Sequence, residues 1–251
     1  MDDNSNVEEA LIDDFCFPSP FSKDLYDINM LISEPTVYNS SKFKQEIGDK
    51  ANISIISLNC CSLLSKLNDI KLFLHDMQPN PDILCLQEIF NVPDNFAFNI
   101  PDYEFYHNAR KLNRGGGVGI FVSSRFQVDK FNTTFIEGTF ESITLKLTID
   151  GKSIIVGNFY KPPKAIFREF IDIYSNFLEN LNSEGLPVFI CCDSNINLMQ
   201  KDSNQLEYIE CSMAAGYINC INQATRIAGK SISAIDHILT NKPEHITNRE
   251  L

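Results

Sequence analysis

The sequence predicts an α/β fold in which two packed, mixed β-sheets are flanked by helices. Three observations predict it: short apolar segments separated by turn residues, an early strand–helix–strand unit, and a run of hairpin-connected strands in the middle. Crossovers and hairpins together fit two packed sheets better than a doubly wound parallel sheet. The chain has 251 residues, 43% of them hydrophobic, which is enough to fill one large core. We therefore expect a single α/β domain.

The first unit is a strand, a helix and a second strand. Residues 53–58 predict a strand that ends at Asn59, residues 67–77 carry apolar side chains at helical spacing, and residues 83–86 predict a buried strand. The connection is long enough for a parallel crossover. The carboxyl ends of both strands, at Asn59 and Glu88, should then lie at the same edge of a sheet.

The middle of the chain predicts antiparallel strands. They cover residues 103–107, 118–122, 140–149 and 153–160, and Asp150-Gly151 marks a tight hairpin turn between the last two.

The last part alternates helices and strands. Apolar residues at helical spacing predict a helix over residues 167–181, and residues 188–192 form a continuous apolar strand that ends at Asp193. Residues 206–215 predict another helix and residues 235–239 a final short strand. Polar residues collect at these strand ends, where open α/β architectures usually place their chemistry.

Residues 1–50 differ from the rest in composition. They are rich in Asp, Asn, Ser and Glu, and three prolines interrupt any periodic pattern. This composition predicts a mostly disordered leader before a domain that covers residues 51–251. An alternative is that the apolar cluster at residues 15–17 docks on the domain or on a partner.

The net charge of −12 looks unfavourable for a protein that meets nucleic acid, because phosphate contacts require Lys and Arg. Residues 1–50 hold 11 acidic and 4 basic residues, so the rest of the chain has a net charge of only −5. A bound divalent cation would offset part of that charge locally. The acidity therefore argues against broad nonspecific DNA binding more than against a metal-assisted site.

The apolar segments and cysteines exclude several classes. Segments such as residues 188–192 are far shorter than the ~20 residues that span a bilayer, and the N-terminus lacks a secretory signal. We expect an intracellular protein, nuclear or cytoplasmic, without membrane contact. Most of the eight cysteines lie in or beside apolar runs without zinc-site spacing. We interpret the following as reduced core thiols: Cys60, Cys61, Cys85, Cys191 and Cys192.

Carboxylates and amides at strand ends are the first candidates for chemistry. Glu88 directly follows a buried strand, so it is either a metal ligand or an ordinary exposed loop residue. Asp193 and Asn195 are two positions apart and would face one side of an extended segment. They could orient a water and hold a phosphate oxygen, or form an Asx turn or helix cap. Asn59 could help to bind a metal, orient Glu88, or serve as a turn residue.

Two basic segments are candidate phosphate contacts. Tyr160 and Lys161 precede two prolines and could form a phosphate clamp, although a buried tyrosine before a strand exit fits as well. Arg114 precedes three glycines whose backbone could approach a phosphate, or the segment is a solvated basic turn. No P-loop pattern follows the glycines.

The final strand carries Asp236 and His237. Adjacent strand residues point to opposite faces, so only one of the two can face a cleft. Thr225 lies upstream and could add a hydroxyl at the same edge or lie on the surface.

Taken in order, these motifs resemble the endonuclease/exonuclease/phosphatase superfamily. The resemblance covers about residues 53 to 241. The motifs taken together in this order are far more specific than any one of them alone. The triple glycine and Tyr-Lys-Pro-Pro are most similar to the apurinic-type endonuclease domains of non-LTR retrotransposons. The segments that carry the resemblance are Leu58-Asn59, Leu86-Gln87-Glu88, Gly115 to Val122, Tyr160-Lys161-Pro162-Pro163, Asp193-Ser194-Asn195 and Ile235-Asp236-His237-Ile238-Leu239.

The resemblance implies a four-layer α/β sandwich that hydrolyses a phosphodiester bond with Mg²⁺ or Mn²⁺. It implies that Glu88 binds the metal with help from Asn59. The substrate-binding residues that we expect beside them are Arg114, Lys161 and Thr225.

The resemblance also implies catalytic roles. Asp193 would activate or orient the attacking water, Asn195 would hold the reacting phosphate, and Tyr160 would contact it. Asp236 would orient a histidine that stabilises developing charge.

Two departures from the family pattern matter. The family usually has Gly-Asp-Phe-Asn where this chain has Cys192 and Ser194 around the aspartate, which retains both functional side chains. The closing Ser-Asp-His motif, expected some two dozen residues beyond the Asp-His strand, would fall after Leu251. We therefore expect a domain without its C-terminal catalytic strand, and at best a very weak nuclease.

Three functions remain open. The leading hypothesis is a domain that nicks DNA for a mobile element, and it leaves open a reverse transcriptase in the parent polypeptide. The second is a phosphatase or ribonuclease of the same fold, and the third is a catalytically degenerate module that binds metal or a partner. The oligomeric state, target sequence and preferred metal do not follow from the sequence.

Overall fold

Two β-sheets face each other in the computed structural model, which describes residues 53–77, 79–229 and 231–246. The predicted leader, residues 1–50, lies outside the described residues, so its prediction stays open. Among the residues described, no helix is both long and apolar enough to cross a membrane.

Sheet 1 comes from the first half of the described chain. Its strands are β1 Ile55–Asn59, β2 Ile83–Gln87, β3 Tyr103–Asn108 and β4 Val118–Ser123, in the spatial order β1-β2-β4-β3. Helix α1, Leu63–Asp76, connects β1 to β2. These two strands are parallel, as predicted, whereas β4 is antiparallel to both of its neighbours.

Sheet 2 and two further helices follow. The remaining elements are β5 Gln127–Lys130, β6 Phe135–Ile136, β7 Phe140–Ile149, β8 Lys152–Tyr160, α2 Phe167–Asn182, β9 Val188–Asp193, α3 Ser203–Ala214, β10 Ile218–Asn219, β11 Arg226–Ala228, β12 Ser231–Ser233, β13 Asp236–Thr240 and a 3₁₀ turn Pro243–His245. Sheet 2 has the order β10-β13-β9-β8-β7-β5, with β6 paired to β7. Strands β11 and β12 form a separate hairpin. Within sheet 2 only β8 and β9 are parallel, and α2 connects them.

Three hydrophobic cores separate four layers, which confirms the predicted α/β sandwich. Helix α1 packs on the outer face of sheet 1 through Leu63, Ile70 and Leu74. The second core fills the space between the sheets. The third lies between the outer face of sheet 2 and helices α2 and α3, where the apolar stripe of α2 is buried; its members are Phe170, Ile171, Tyr174, Phe177, Leu178 and Leu181.

Side-chain alternation along the strands decides which residues enter the space between the sheets. In β9, Ile190 and Cys192 belong to the outer core, whereas Cys191 belongs to the core between the sheets. The next residue of that inner set is Asp193. The same alternation in β13 places Leu239 in the outer core and Ile238 against the inner one.

One local expectation is wrong and another is confirmed. Cys61 is exposed, unlike the other four cysteines interpreted as core thiols, because the chain turns out of β1 there with a φ of 44°. Every cysteine in the described part of the chain is a free thiol. The Asp150-Gly151 turn is confirmed, with both residues at positive φ as this hairpin type requires.

Candidate active site

Polar side chains from both sheets meet at one edge of the sandwich. Asn59 ends β1 and Glu88 directly follows β2, and the parallel register pairs Asn59 with Gln87. In sheet 2, Asp193 ends β9 and Asp236 begins the antiparallel strand β13, directly opposite it. The topology therefore brings four of the predicted residues to the same edge.

Asn59 links the two sheets at this edge. Its Nδ2 donates to Glu88 Oε1 at 2.8 Å and to Asp193 Oδ2 at 2.8 Å, while its Oδ1 accepts from the backbone N–H of Cys61 at 3.1 Å. Both amide hydrogens meet carboxylates and the amide oxygen meets a donor, so the orientation of the amide is determined. Asn59 therefore holds the two carboxylates at a fixed separation.

A row of side chains crosses sheet 2 beside this link. The strand registers align Glu141 of β7 with Tyr160 of β8, Tyr160 with Asp193, and Asp193 with Asp236. The tyrosine is buried, with 5% of its surface exposed. Burial raises the pKa of Tyr160, and the charges of Glu88 and Asp193 raise it further. Its phenol therefore stays protonated at neutral pH.

The two aspartates of this row are unusually hard to ionise. Burial raises the pKa of Asp193 to about 7, with a further contribution from the charge of Asp236 and opposing hydrogen bonds from Asn59 and Asn195. Burial also raises the pKa of Asp236, against a hydrogen bond from Thr225. The site thus places closely spaced acidic groups where water is largely excluded.

Asn195 and Asp193 form a local turn after β9. The backbone N–H of Asn195 donates to Asp193 Oδ1 at 3.0 Å, which is an Asx turn, and Asn195 has a φ of 49°. The Asn195 side chain donates from Nδ2 to the Lys161 carbonyl at 2.9 Å. The sequence analysis gave an Asx turn as the alternative to a catalytic Asp193–Asn195 pair. The structure forms that turn, and the turn fixes the relative position of the two side chains.

Glu88 reaches the edge through a strained backbone. Its φ is 53°, a left-handed conformation that costs a residue with a side chain about 1–2 kcal/mol. The start of α1 holds it there, because the Ser62 N–H donates to the Glu88 carbonyl at 2.8 Å. Strain of this kind persists where the surrounding structure over-determines it, and it is frequent at functional sites.

The predicted substrate-binding residues occupy different settings. Lys161 is only 5% exposed, with its Nζ 3.4 Å from the Pro162 carbonyl and 5.6 Å from the centre of the Phe170 ring. Burial lowers the pKa of this lysine. The structure does not bring its ammonium to the surface of the cleft, whereas Arg114 is exposed on the loop before the glycines.

Thr225 lies at the edge and supports Asp236. Its Oγ1 accepts from the backbone N–H groups of Ile235 and Asp236, each at 3.1 Å. Its hydroxyl also hydrogen-bonds the Asp236 carboxylate, which opposes the rise in that pKa.

His237 lies on the opposite face of sheet 2 from Asp236. It is 1% exposed, and its Nδ1 lies 3.1 Å from the Tyr208 hydroxyl and 3.3 Å from Ser194 Oγ. Burial lowers its pKa to about 4. This imidazole is a neutral core group rather than a partner of Asp236.

Two buried amides escaped the sequence analysis. Gln87 donates from Nε2 to Asn158 Oδ1 at 2.7 Å, and Asn158 donates from Nδ2 to the carbonyls of Leu86 and Gly119 at 2.9 and 3.0 Å. They join β8 to β2 and β4 just behind Glu88. A polar residue at an inward position of an apolar strand was the available signal.

The donor set suits a hard divalent cation only in part. Within the described ranges, no three or more His, Cys, Asp or Glu side chains are arranged to hold a metal ion as they stand. Magnesium, however, commonly uses one or two carboxylates together with water and substrate phosphate. Glu88 and Asp193, which share the Asn59 amide, meet that smaller requirement, and a cation would offset the burial and the charge of Asp236 that raise the pKa of Asp193. The residues therefore fit Mg²⁺ or Mn²⁺ better than zinc.

The fold and its acidic edge define a two-sheet α/β sandwich with a polar site at strand ends. The sequence matches the profile of the Endonuclease/Exonuclease/phosphatase family over residues 56–250. The chain therefore belongs to this family. No curated protein sequence matches the chain.

Solved structures share the fold at low sequence identity. The endonuclease domain of TRAS1, a telomere-specific non-LTR retrotransposon, superposes with a TM-score of 0.56 at 11% identity, over 75% of this chain and 84% of that one. The structure of D. rerio TDP2 complexed with single-strand DNA product superposes with a TM-score of 0.55 at 16% identity, over 75% of this chain and 83% of that one. An AP endonuclease from Archaeoglobus fulgidus superposes with a TM-score of 0.55 at 16% identity, over 77% of this chain and 88% of that one. At these identities the similarity shows the fold alone.

Proposed function

We propose that the protein is a divalent-metal-dependent phosphodiesterase that nicks DNA, of the type found in non-LTR retrotransposons. The observation that carries the proposal is the Asn59 amide, which joins Glu88 of one sheet edge to Asp193 of the other. Family membership and the likeness to the TRAS1 endonuclease domain support it. The proposal makes DNA the partner, and it implies a reverse transcriptase in the parent polypeptide.

The proposed roles follow from position and charge. Glu88 holds the metal, with its carboxylate oriented by Asn59. A bound Mg²⁺ or Mn²⁺ supplies Lewis-acid polarisation of a phosphoryl oxygen. Asp193 is held by hydrogen bonds from Asn59 and from the Asn195 backbone, which positions its carboxylate to take a proton from the attacking water. Asn195 holds a phosphate oxygen beside it.

Tyr160 and Asp236 complete the proposed machinery. Tyr160 adjoins Asp193 in the strand register and keeps its proton, so its hydroxyl donates to the phosphate. Asp236 would orient an imidazole that stabilises charge on the phosphoryl oxygen, and the described histidines do not supply one beside it. Arg114 and Thr225 contact the DNA backbone at the rim, and Lys161 contributes mainly by packing.

A catalytically degenerate binding module is the second candidate. It is favoured by the histidines of the described chain, none of which accompanies Asp236. His237 is buried on the other face, and His245 lies beyond the far end of β13. His75 is on α1 and His107 on β3 of the other sheet.

A plasmid nicking assay tests the proposal. Supercoiled DNA and a panel of small phosphoesters are incubated with Mg²⁺ or Mn²⁺ and with purified wild type, Glu88→Gln, Asp193→Asn or the exposed control Asp69→Asn. We expect nicking by the wild type and the control, and a loss on the order of 10²–10³ in the two site variants. Nicking that survives Glu88→Gln would contradict the metal site, and faster turnover of the small esters would favour a phosphatase.

A further inference from the structure

We propose that the buried Arg110–Glu141 ion pair positions Glu88, acting through the glycine loop, which is residues 115–117. The inference rests on the proposed function, since it concerns how the proposed metal ligand is held. Neither Arg110 nor Glu141 is expected to touch substrate or metal.

Glu141 is a fully enclosed carboxylate with a complete set of donors. Its side chain is 0% exposed, and both Nε and Nη2 of Arg110 lie 2.6 Å from its Oε1. The backbone N–H of Gly117 donates to Oε2 at 2.6 Å, and that of Gly138 donates to Oε1 at 2.9 Å. Each of these neighbours is a donor, so the buried carboxylate is fully hydrogen-bonded.

The glycine loop is shaped around this ion pair. All three glycines have positive φ, at +95°, +61° and +79°, and Gly117 donates directly to Glu141. A Cβ on Gly116 would overlap the Arg110 guanidinium and the Glu141 carboxylate. Because the glycines have no side chains, the backbone can pack closely around the buried Arg110–Glu141 pair. This contact accounts for the three glycines without a role in phosphate binding.

The same loop holds the residues that follow Glu88. The Phe90 N–H donates to the Gly116 carbonyl at 2.8 Å, and the Ile89 N–H donates to the Gly117 carbonyl at 3.3 Å. Phe90, like Glu88, has a left-handed backbone, with a φ of 62°. Glu88 thus lies between two braces, the start of α1 on one side and the glycine loop on the other.

The ion pair also adjoins the other half of the proposed site. Glu141 lies directly opposite Tyr160 in the register of β7 and β8, and the charges of Arg110 and Glu141 both act on the Tyr160 pKa. One buried pair therefore contacts the support of Glu88 and the strand position of Tyr160. This location gives the Arg110–Glu141 ion pair a role that two apolar side chains at the same positions would not have.

Amide hydrogen exchange tests the positioning without reference to activity. In the full 251-residue chain, Glu141→Gln should speed exchange at the Ile89 and Phe90 amides about tenfold relative to β2 amides, because the loop loses its charged anchor. Arg125→Met is the matched control, since the Arg125–Asp82 ion pair lies at the opposite end of β2. It should leave both amides unchanged.

Mn²⁺ affinity, measured by electron paramagnetic resonance, is the second readout. Residues that support a metal ligand typically change affinity 10–100-fold, so about a tenfold loss is expected in Glu141→Gln and none in Arg125→Met. If Glu141→Gln does not fold, Gly116→Ala tests the same brace. Unchanged exchange at Ile89 and Phe90 in a folded variant would overturn the inference. A wild type that binds no Mn²⁺ would overturn the proposed function, while the exchange result would still decide the positioning.

Discussion

His237 follows Asp236 in β13, yet the two side chains experience opposite environments. Asp236 faces the polar edge, whereas His237 is 1% exposed beside Tyr208 and Ser194. Burial lowers the pKa of the imidazole from 6.5 to about 4, against a hydrogen bond with the Ala234 carbonyl. The folded state therefore favours the neutral form of the His237 imidazole, and protonation of this side chain destabilises the fold.

The sign of this shift predicts an acid-sensitive fold. The contribution of His237 is complete above pH 6.5 and is lost as the pH falls from 6.5 towards 4, by up to about 3 kcal/mol. We expect the free energy of urea unfolding to fall less between pH 7 and pH 4.5 in His237→Gln than in wild type. His75→Gln, which changes an exposed imidazole, serves as the control and should follow the wild type. Identical pH slopes in wild type and His237→Gln would contradict the buried neutral imidazole.

Individual residues differ in how far the sequence could predict them. Glu88, Asp193 and Asp236 were predictable, because a strand end locates a side chain once strand direction is known. Lys161 was not, because nothing in its local sequence indicates that its side chain packs on the ring of Phe170. The contacts of Glu141 with Gly117 and Arg110 were also missed, since these partners lie 24 and 31 residues away in the sequence.

Among the elements, the helices and the strands of five or more residues were predicted, and the strands of two to four residues were not. The apolar stripe of α2 and the continuous run of β9 bury large faces, and both appear near the expected bounds. Strands β5, β6 and β10 have two to four residues each and pair only because a longer strand offers an edge. Their formation is decided by tertiary contacts, which local sequence does not encode.

The joint between the two sheets depends on Asn158 of β8. The substitution Asn158→Leu keeps the branched shape of the side chain but leaves the carbonyls of Leu86 and Gly119 and an amide hydrogen of Gln87 without their buried partner. We expect a loss of about 2–4 kcal/mol in the free energy of urea unfolding. Asn176→Leu on the exposed face of α2 is the control and should stay within about 0.5 kcal/mol. A stable Asn158→Leu would show that the sheets are held by apolar packing alone.

At the scale of the whole molecule, charge is unevenly divided along the chain. Residues 1–50 hold 11 acidic and 4 basic residues, and the remainder has a net charge of −5. Their acidic and polar composition, interrupted by three prolines, leads us to propose that they add little to folding. Deleting them should change the melting temperature of the domain by no more than about 3 °C, measured by calorimetry. A drop of 10 °C or more would show that the segment packs on the core.

In the proposed mechanism, turnover would depend on groups from both sheets acting together, and the described residues do not supply one of them. Asp236 is supported by Thr225 and adjoins Asp193, but its proposed role is to orient an imidazole, and the nearest in sequence, His237, is committed to the core. Loss of one preorganised contact to a developing charge typically slows a reaction on the order of 10²–10³. We therefore expect weak plasmid nicking by this chain.

Free imidazole should restore part of that missing contact. We expect nicking in Mg²⁺ to rise about tenfold as imidazole is added, because Asp236 can bind a diffusing imidazole but without its full preorganisation. Mg²⁺ is the suitable metal, since it prefers oxygen ligands and leaves the imidazole free. The control reactions contain a non-imidazole buffer at the same pH and ionic strength. Asp236→Asn should nick weakly and fail to respond, whereas Asp69→Asn should respond like the wild type. A wild-type rate that ignores imidazole, yet is abolished by Glu88→Gln, would show that the two sheets complete the reaction with the side chains already at the edge.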